Sequence, residues 1–278
     1  MKKDRRDLLR GLGALSCAGA GLLWLIAPAR ADDAQRAMLR GRYFAHRGLY
    51  DEAAGIPENS LAAFRAAAEA GYGAELDVRM TADGVLVVAH DSDLARMTGA
   101  AVRVEDTDFA ALEELRLSGT GERVPRFADA LDILCGAGVP VIAEIKPCAA
   151  ARREALCRSV LAELDRRDGL LCVESFDAMI VRWFRRWAPD ILRGQLTAQR
   201  EQLAAGTAGA FLASRVMFDF LGRPQFIAHR VGKKSACVRL AERMGALRVC
   251  WTARDYGEEA ENDAVIFEHF RPPVSYHE

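Results

Sequence analysis

Short apolar runs that alternate with helical stretches constrain this fold more than any other feature of the sequence. Eight such runs follow residue 32, and most contain almost only apolar side chains. Strands that are apolar on both faces are typical of parallel sheets, which are covered on both sides. The predicted strands are residues 43–46, 74–79, 139–145, 171–175, 191–197, 226–228, 247–252 and 264–268.

The stretches between these runs have apolar residues at helical spacing. The first starts near Ser60, places Leu61, Phe64 and Ala67 on one face, and stops at Gly71. Eight strand–helix units in about 250 residues match the size of a (β/α)8 TIM-type barrel. Periodicity therefore predicts the α/β class, and it leaves a closed barrel and an open sheet as alternatives.

One segment interrupts the alternation. The Asp83-Gly84 pair between two apolar runs predicts a β-hairpin directly after the second strand. From there to about residue 121, only residues 109–117 have weak helical spacing. We therefore expect a small insertion after the second strand, over one end of the sheet.

The N-terminal segment differs from the rest of the chain. A basic stretch precedes residues 11–28, which carry no charge, as in an export signal or a membrane anchor. The Arg5-Arg6 pair and the small residues ending at Ala31 favour a signal cleaved near Ala31. The strongly apolar residues 22–26 favour a retained single span, which we expect. In either case the rest of the chain would lie outside the cytoplasm.

Charge and cysteine spacing exclude several kinds of partner. The chain holds 38 Lys/Arg and 39 Asp/Glu, a net charge of −1. Residues 1–31 hold six of the basic and two of the acidic residues, so the remainder has a net charge of −5. No basic field favours nucleic acid, so we expect membrane contact only through the N-terminal segment, and no obligate protein partner. The seven cysteines show no zinc-ligand spacing.

Polar side chains mark the ends of several predicted strands. Residues two apart on a strand point to the same side, and the carboxyl ends of barrel strands meet at one face. We therefore expect seven residues to converge. They are His46 and Arg47 after the first strand, Glu75 and Asp77 on the second, His90 after the hairpin, and Glu144 and Lys146 at the third.

These residue types favour phosphodiester cleavage. The three carboxylates form an all-oxygen cluster that suits Mg²⁺ or Ca²⁺, and the two cationic side chains suit an anionic phosphate. The two histidines can act near neutral pH, one activating the attacking oxygen and the other protonating the leaving alkoxide. This chemistry needs no serine or cysteine nucleophile, and the chain contains no GxSxG motif.

The motifs HRG, PENS, ELDV, DG, HD and EIK, in this order, resemble the glycerophosphodiester phosphodiesterase family. The resemblance covers nearly all of residues 42–270. It implies a TIM-type barrel with a small insertion after the second strand, over residues 40–272, beside a separate segment of residues 1–31. It also implies metal-dependent hydrolysis of glycerophosphodiesters, small molecules of lipid metabolism, to glycerol 3-phosphate and an alcohol.

The resemblance implies roles for nine residues. His46 and His90 would be the acid/base pair. The cation would be bound by Glu75, Asp77 and Glu144. The substrate would be contacted by Arg47, Glu58, Lys146 and Trp251. A glycerol hydroxyl of the substrate would attack first, giving a cyclic phosphate, or water would attack directly. We expect structural roles for Glu174, Gln195, His229 and His269, and a solvated helix face with two core tryptophans over residues 183–187.

Two rival functions use the same residues. A lysophospholipase D would act on lysophospholipids at a membrane, and the N-terminal segment makes this plausible. A catalytically silent barrel would bind phosphodiesters without cleaving them, but such a module has no need for two titrating histidines.

Overall fold

The fold is a closed barrel of eight parallel strands. The structure, a computed structural model, describes residues 19–203 and 206–276. Its strands are β1 (Arg42–Ala45), β2 (Gly73–Met80), β3 (Leu86–Val88), β4 (Val141–Ile145), β5 (Leu171–Ser175), β6 (Leu192–Thr197), β7 (Phe226–Arg230), β8 (Leu247–Ala253) and β9 (Ala264–Phe267). β3 pairs antiparallel with β2, and the other strands close the ring because β1 pairs with both β9 and β2. The eight predicted strands, the closed-barrel alternative and the hairpin are confirmed.

Helices follow six of the eight barrel strands. The helices are α1 (Asp33–Leu39), α2 (Leu61–Glu69), α3 (Ala95–Thr98), α4 (Phe109–Leu112), α5 (Phe127–Gly136), α6 (Ala150–Leu164), α7 (Ala178–Trp187), α8 (Thr207–Ala213), α9 (Asp219–Gly222) and α10 (Ala236–Arg243). Short 3-10 turns are Val104–Asp106, Leu117–Gly119, Arg200–Gln202 and Glu258–Ala260. Within the described ranges, β8 is followed only by a 3-10 turn and β9 by no helix.

The C-terminal tail lies where the last helix of a full barrel would pack. The ring of Tyr276 packs edge-on against Tyr43 at 4.9 Å, and its backbone N–H donates to the carbonyl of Gly41 at 2.7 Å. Phe270 packs against Phe267 of β9 at 5.6 Å. A few aromatic side chains thus cover the outer side of β1 and β9.

Apolar side chains fill the barrel, and α1 closes its amino-terminal end. Phe44, Phe226 and Ile266 belong to one buried cluster with Leu39 of α1. A side chain at Gly194 would meet the Phe226 ring at 2.1 Å, so glycine is required there for the ring to fit. Apolar side chains thus fill the barrel interior toward the amino-terminal ends of the strands. The polar residues lie at the carboxyl ends.

The insertion after β2 has a small core of its own. Val87, Leu94 and Phe109 are buried together there. The helix predicted over residues 109–117 is shorter than expected, since α4 ends at Leu112. The chain then turns back to the same core, which supports one end of β2 and the histidine that follows β3.

Residues 19–31 pack against the side and the amino-terminal end of the barrel. Residues 19–26 are helical, and Ile26 is fully buried beside Ile227 and Val238. Among the described residues, no helix has the length and apolar character needed to cross a membrane. Residues 1–18 lie outside the described residues, so the anchor, the cleavage site and the two domain boundaries stay predictions.

One interpretation of α7 is wrong. Both tryptophans were expected in the core, but Trp183 is only half-buried against it and Trp187 is 58% exposed. Trp187 is the last residue of α7, and the buried residues of this helix end at Phe184. The last turn of α7 therefore extends beyond the part of the core that the helix covers. The six cysteines among the described residues are unpaired.

Candidate active site

The predicted site residues meet in one cleft at the carboxyl ends of the barrel strands. The cleft has a volume of about 1000 Å³. Its walls include His46, Arg47, Glu58, Glu75, His90, Glu144, Lys146 and Trp251. Asp77 lies beneath them and is 1% exposed. The strand register explains the convergence, because Asp77 of β2 pairs with Glu144 of β4.

Three carboxylates form a buried cluster that fits a divalent cation. One oxygen from each of Glu75, Asp77 and Glu144 lies within 4.8 Å of the others. One ion with metal–oxygen distances of about 2.0–2.6 Å can span that separation. Glu75 Oε1 is buried without a hydrogen-bond partner among the described residues, which is unusual for a polar atom unless it binds something else. The donor set therefore fits Mg²⁺ or Ca²⁺.

The protein offsets the charge of this cluster only in part. Lys146 Nζ lies 2.7 Å from Asp77 Oδ1 and 2.8 Å from Glu144 Oε1. Burial and the charges of Asp77 and Glu144 raise the pKa of Glu75 well above its usual range. Burial also raises the pKa of Glu144, whereas at Asp77 the charges of Lys146 and Arg47 outweigh burial and lower the pKa. A bound cation would favour the ionised form of all three carboxyls.

The turn after β1 directs Arg47 at the cluster. Arg47 has a left-handed backbone (φ 56°), and its N–H donates to Glu75 Oε2 at 3.0 Å. Its guanidinium donates to Glu58 Oε1 at 2.9 Å, and Glu58 also accepts from Arg96 at 2.7 Å. Glu58 thus contacts two arginines rather than the carboxylate cluster. Gly48 follows with φ 79°, and a Cβ there would lie 2.8 Å from the Cβ of Ala63, so the HRG motif requires its glycine.

A carboxylate from the last strand holds His46. His46 Nδ1 lies 2.7 Å from Glu268 Oε2, and its Nε2 lies 3.9 Å from Glu75 Oε2. Arg254 donates to the other oxygen of Glu268 at 2.7 Å. Burial opposes ionisation of Glu268, but the hydrogen bonds from His46 and Arg254 lower its pKa to about 2. An ionised Glu268 accepts from Nδ1–H, which leaves the Nε2 lone pair of His46 facing the cluster.

His90 is held in a similar way. Its Nδ1 lies 2.8 Å from Asp91 Oδ1, and Asp91 Oδ2 accepts from Arg96 Nε at 2.6 Å. Burial lowers the pKa of His90, and burial likewise lowers that of His46. Both rings are therefore mainly neutral near pH 7, with Nε2 left for a substrate.

Two residues of the site have roles that the sequence did not indicate. Asn59, in the PENS motif, donates to Asp77 Oδ2 at 2.7 Å from a left-handed backbone (φ 54°) that asparagine tolerates. From the sequence, Glu268 is the last residue of the final predicted strand, and no role is assigned to it. The available signal was its place directly after β9, the neighbour of the strand that ends at His46.

The remaining polar residues at the strand ends differ in their surroundings. Gln195 donates to the carbonyl of Ser175, and His229 Nδ1 contacts the carbonyl of Arg230, as structural residues do. Glu174 lines the cleft beside Glu144; it is 2% exposed, and burial raises its pKa well above the usual range. Trp251 forms a wall of the cleft, with Nε1 donating to the carbonyl of Ala228 at 3.1 Å.

Comparison with known proteins identifies the family of this barrel. The match to the glycerophosphoryl diester phosphodiesterase family spans residues 46–270. The chain belongs to this family. The match includes both histidines and the three carboxylates of the cleft.

Two curated relatives that are similar to this chain are named as glycerophosphodiester phosphodiesterases. A probable glycerophosphodiester phosphodiesterase 2 of Mycobacterium tuberculosis is 31% identical over 222 residues, which are 80% of this chain and 76% of that protein. A glycerophosphodiester phosphodiesterase of Caldanaerobacter subterraneus is 36% identical over 109 residues, 37% of this chain and 44% of that protein. The match therefore spans less than half of the length of the Caldanaerobacter protein.

The solved structures support the fold. A phosphodiesterase of Oleispira antarctica, determined in complex with the product sn-glycerol-3-phosphate, superposes with a TM-score of 0.68 and 22% identity. The match covers 84% of this chain and 94% of that chain. At this identity, the likeness shows the barrel fold alone.

Proposed function

We propose that this protein hydrolyses glycerophosphodiesters to glycerol 3-phosphate and an alcohol, with a divalent cation and two histidines. One observation carries the proposal. His46 and His90 are each held through Nδ1 by a carboxylate, and both line the cleft that contains the three-carboxylate cluster. Family membership supplies the substrate class, and the cleft is large enough for such a molecule.

The carboxylate cluster would position the phosphate. A cation held by Glu75, Asp77 and Glu144 would offset negative charge on the phosphoryl oxygens. Arg47 and Lys146 lie beside the same cluster and carry fixed positive charge for the remaining oxygens. Glu58, which contacts Arg47, would hold that guanidinium in place.

The two histidines would move the protons. One neutral Nε2 accepts a proton from the attacking hydroxyl, which belongs to the substrate's glycerol or to water. The other histidine, protonated, donates to the departing alkoxide. If the glycerol hydroxyl attacks, this step gives a cyclic phosphate, which water then opens to glycerol 3-phosphate as the two histidines exchange roles. An anionic phosphodiester beside the rings raises their pKa and so offsets the effect of burial. Glu268 and Asp91 keep Nδ1 protonated in both rings.

Substrate choice tests this proposal. The full-length protein would be incubated with glycerophosphocholine and, separately, with lysophosphatidylcholine, and the products followed by ³¹P NMR. We expect faster turnover of the deacylated substrate, with glycerol 3-phosphate as the product. Faster turnover of the acylated substrate would point to a lysophospholipase D, and binding without product would point to a silent barrel.

A further inference from the structure

One side of the barrel combines exposed apolar residues with arginines. It is built from residues 19–24, α7, α8 and α9. We call it the arginine–aromatic face, and its members are Leu23, Trp24, Met179, Arg182, Arg185, Arg186, Trp187, Phe211, Leu212, Arg215 and Arg223. None of these residues belongs to the catalytic cleft.

Direct contacts join the elements of this face. The ring of Trp24 lies 5.0 Å from that of Phe220, and the guanidinium of Arg223 lies 5.2 Å from the Trp24 ring centre. Arg223 also donates to the carbonyl of Trp24 at 2.6 Å. Arg185 of α7 donates to the carbonyls of Phe220 and Leu221 at 3.0 and 3.1 Å. The N-terminal helix, α7 and α9 therefore form one continuous surface.

The apolar side chains of the protein surface concentrate on this face. Among the described residues, nine large hydrophobic side chains are exposed, and six of them are Leu23, Trp24, Met179, Trp187, Phe211 and Leu212. Scattered single residues of this kind need no explanation, but a cluster on one side indicates an interaction surface. The tryptophans are 56% and 58% exposed at positions 24 and 187.

The charge of this face is opposite to that of the whole chain. Its five arginines form no ion pair with a carboxylate within the described residues. The acidic residues nearby are Asp219, which is buried, Asp177, which pairs with Arg153 at the start of α7, and Asp190, just beyond α7. Burial and the positive charge of Arg185 lower the pKa of Arg223, and the charge of the buried Asp219 offsets this repulsion only in part. A negatively charged partner would relieve this repulsion.

The chain itself leads from this face into an apolar segment. The described structure begins at Gly19, and residues 19–24 belong to the arginine–aromatic face. These residues are part of the uncharged run of residues 11–28, in which Ile26 is buried against the side of the barrel.

We propose that the arginine–aromatic face docks on an anionic lipid bilayer. Tryptophan side chains prefer the membrane–water interface, and arginines near an anionic surface are each attracted to lipid phosphate. The apolar residues 11–18 would enter the same bilayer, so this face would lie on the lipid. The proposal is independent of the catalytic function, because the face and the cleft share no residue named above.

Quenching of Trp187 by brominated lipid tests the docking. Full-length protein would be mixed with vesicles of phosphatidylcholine and phosphatidylglycerol (7:3), with and without dibrominated acyl chains. The difference between wild type and Trp187→Phe isolates the Trp187 signal. We expect this signal to be quenched in the anionic vesicles and to recover at high salt or in vesicles of phosphatidylcholine alone.

Charge variants separate docking from simple tethering by the N-terminal segment. Arg182→Gln/Arg186→Gln removes two charges from the face, and Arg158→Gln/Arg166→Gln removes two exposed charges elsewhere, one on α6 and one just after it. We expect only the first pair to abolish the quenching of Trp187. An unquenched Trp187 in anionic vesicles, or equal quenching in both double variants, would overturn the proposal. Glycerophosphodiester hydrolysis, measured on the same samples without vesicles, reports the catalytic function separately.

Discussion

His46 Nδ1 lies 2.7 Å from Glu268 Oε2, although the two residues are 222 positions apart in the chain. Barrel closure produces this contact, since β1 and β9 are paired neighbours with Ala45 opposite Phe267. Arg254 donates to Glu268 Oε1 at 2.7 Å, and the hydroxyl of Tyr50 donates to Oε2 at 3.4 Å. The histidine of the first strand is therefore oriented by the last strand.

The first prediction concerns this contact. Glu268→Gln keeps an acceptor for Nδ1–H but loses the charge, and Glu268→Leu loses both. We expect kcat to fall by about tenfold in the first variant and about a hundredfold in the second. These losses are smaller than the full contribution of a catalytic acid or base, because His46 itself is still present. KM should change little. The ¹⁵N NMR signals of His46 should show loss of the Nδ1–H tautomer in Glu268→Leu.

Glu261→Gln is the matched control, because Glu261 is exposed on the same segment of chain. Unchanged kcat in both Glu268 variants would mean that the contact has no part in orienting His46.

The second prediction concerns the histidines themselves. His46→Ala and His90→Ala should each lower kcat by about 10²–10⁴-fold, the usual contribution of a positioned acid or base. Circular dichroism should show a retained fold. Lys233→Ala is the control, since Lys233 is exposed and does not line the cleft. Near-normal turnover in either of the first two variants would remove that histidine from the mechanism.

The third prediction concerns the carboxylate cluster. Glu75→Gln replaces a carboxyl whose ionisation is opposed by burial and by the charges of Asp77 and Glu144, so it should raise the melting temperature of metal-free protein. The same change, or Glu144→Gln, removes a ligand and should weaken the stabilisation by Mg²⁺ or Ca²⁺. Thermal melts with and without chelator measure both effects. Glu113→Gln, at an exposed position, should show neither. An unchanged metal titration in Glu144→Gln would exclude that residue as a ligand.

The fourth prediction concerns the N-terminal segment. Ile26 is fully buried, so deletion of residues 1–31 leaves an open apolar site that deletion of residues 1–18 does not. The loss of one such side chain costs about 2–5 kcal/mol. We expect a melting temperature lower by several degrees in the shorter protein. Equal melting temperatures would mean that residues 19–31 add nothing to the stability of the barrel.

The sequence was sufficient for the parts of the structure that follow from local patterns. All eight barrel strands were predicted because buried parallel strands are short and apolar, and the hairpin was predicted because Asp-Gly favours its turn. The packing of residues 270–276 on β1 and β9 was not predicted, since aromatic residues such as Phe270 and Tyr276 follow no periodic spacing there. Helix α4 was predicted too long because the weak helical spacing continues beyond Leu112, where the helix ends.

The sequence likewise predicted some residues of the site and missed others. Residues such as Glu75 and Asp77 were found because alternation along one strand fixes their direction. The contacts of Glu268 and Asn59 depend on strands and loops that meet only in the closed barrel. Exposure of Trp187 was also missed, because helical spacing does not say how far the packed surface beneath the helix extends.

The most direct test of the account is the release of glycerol 3-phosphate by the purified full-length protein. Glycerophosphocholine and glycerophosphoethanolamine would each be supplied with Mg²⁺, with Ca²⁺ and with chelator. We predict release with at least one of the cations and none with chelator. Folded protein that releases no glycerol 3-phosphate under any of these conditions would contradict the proposed function.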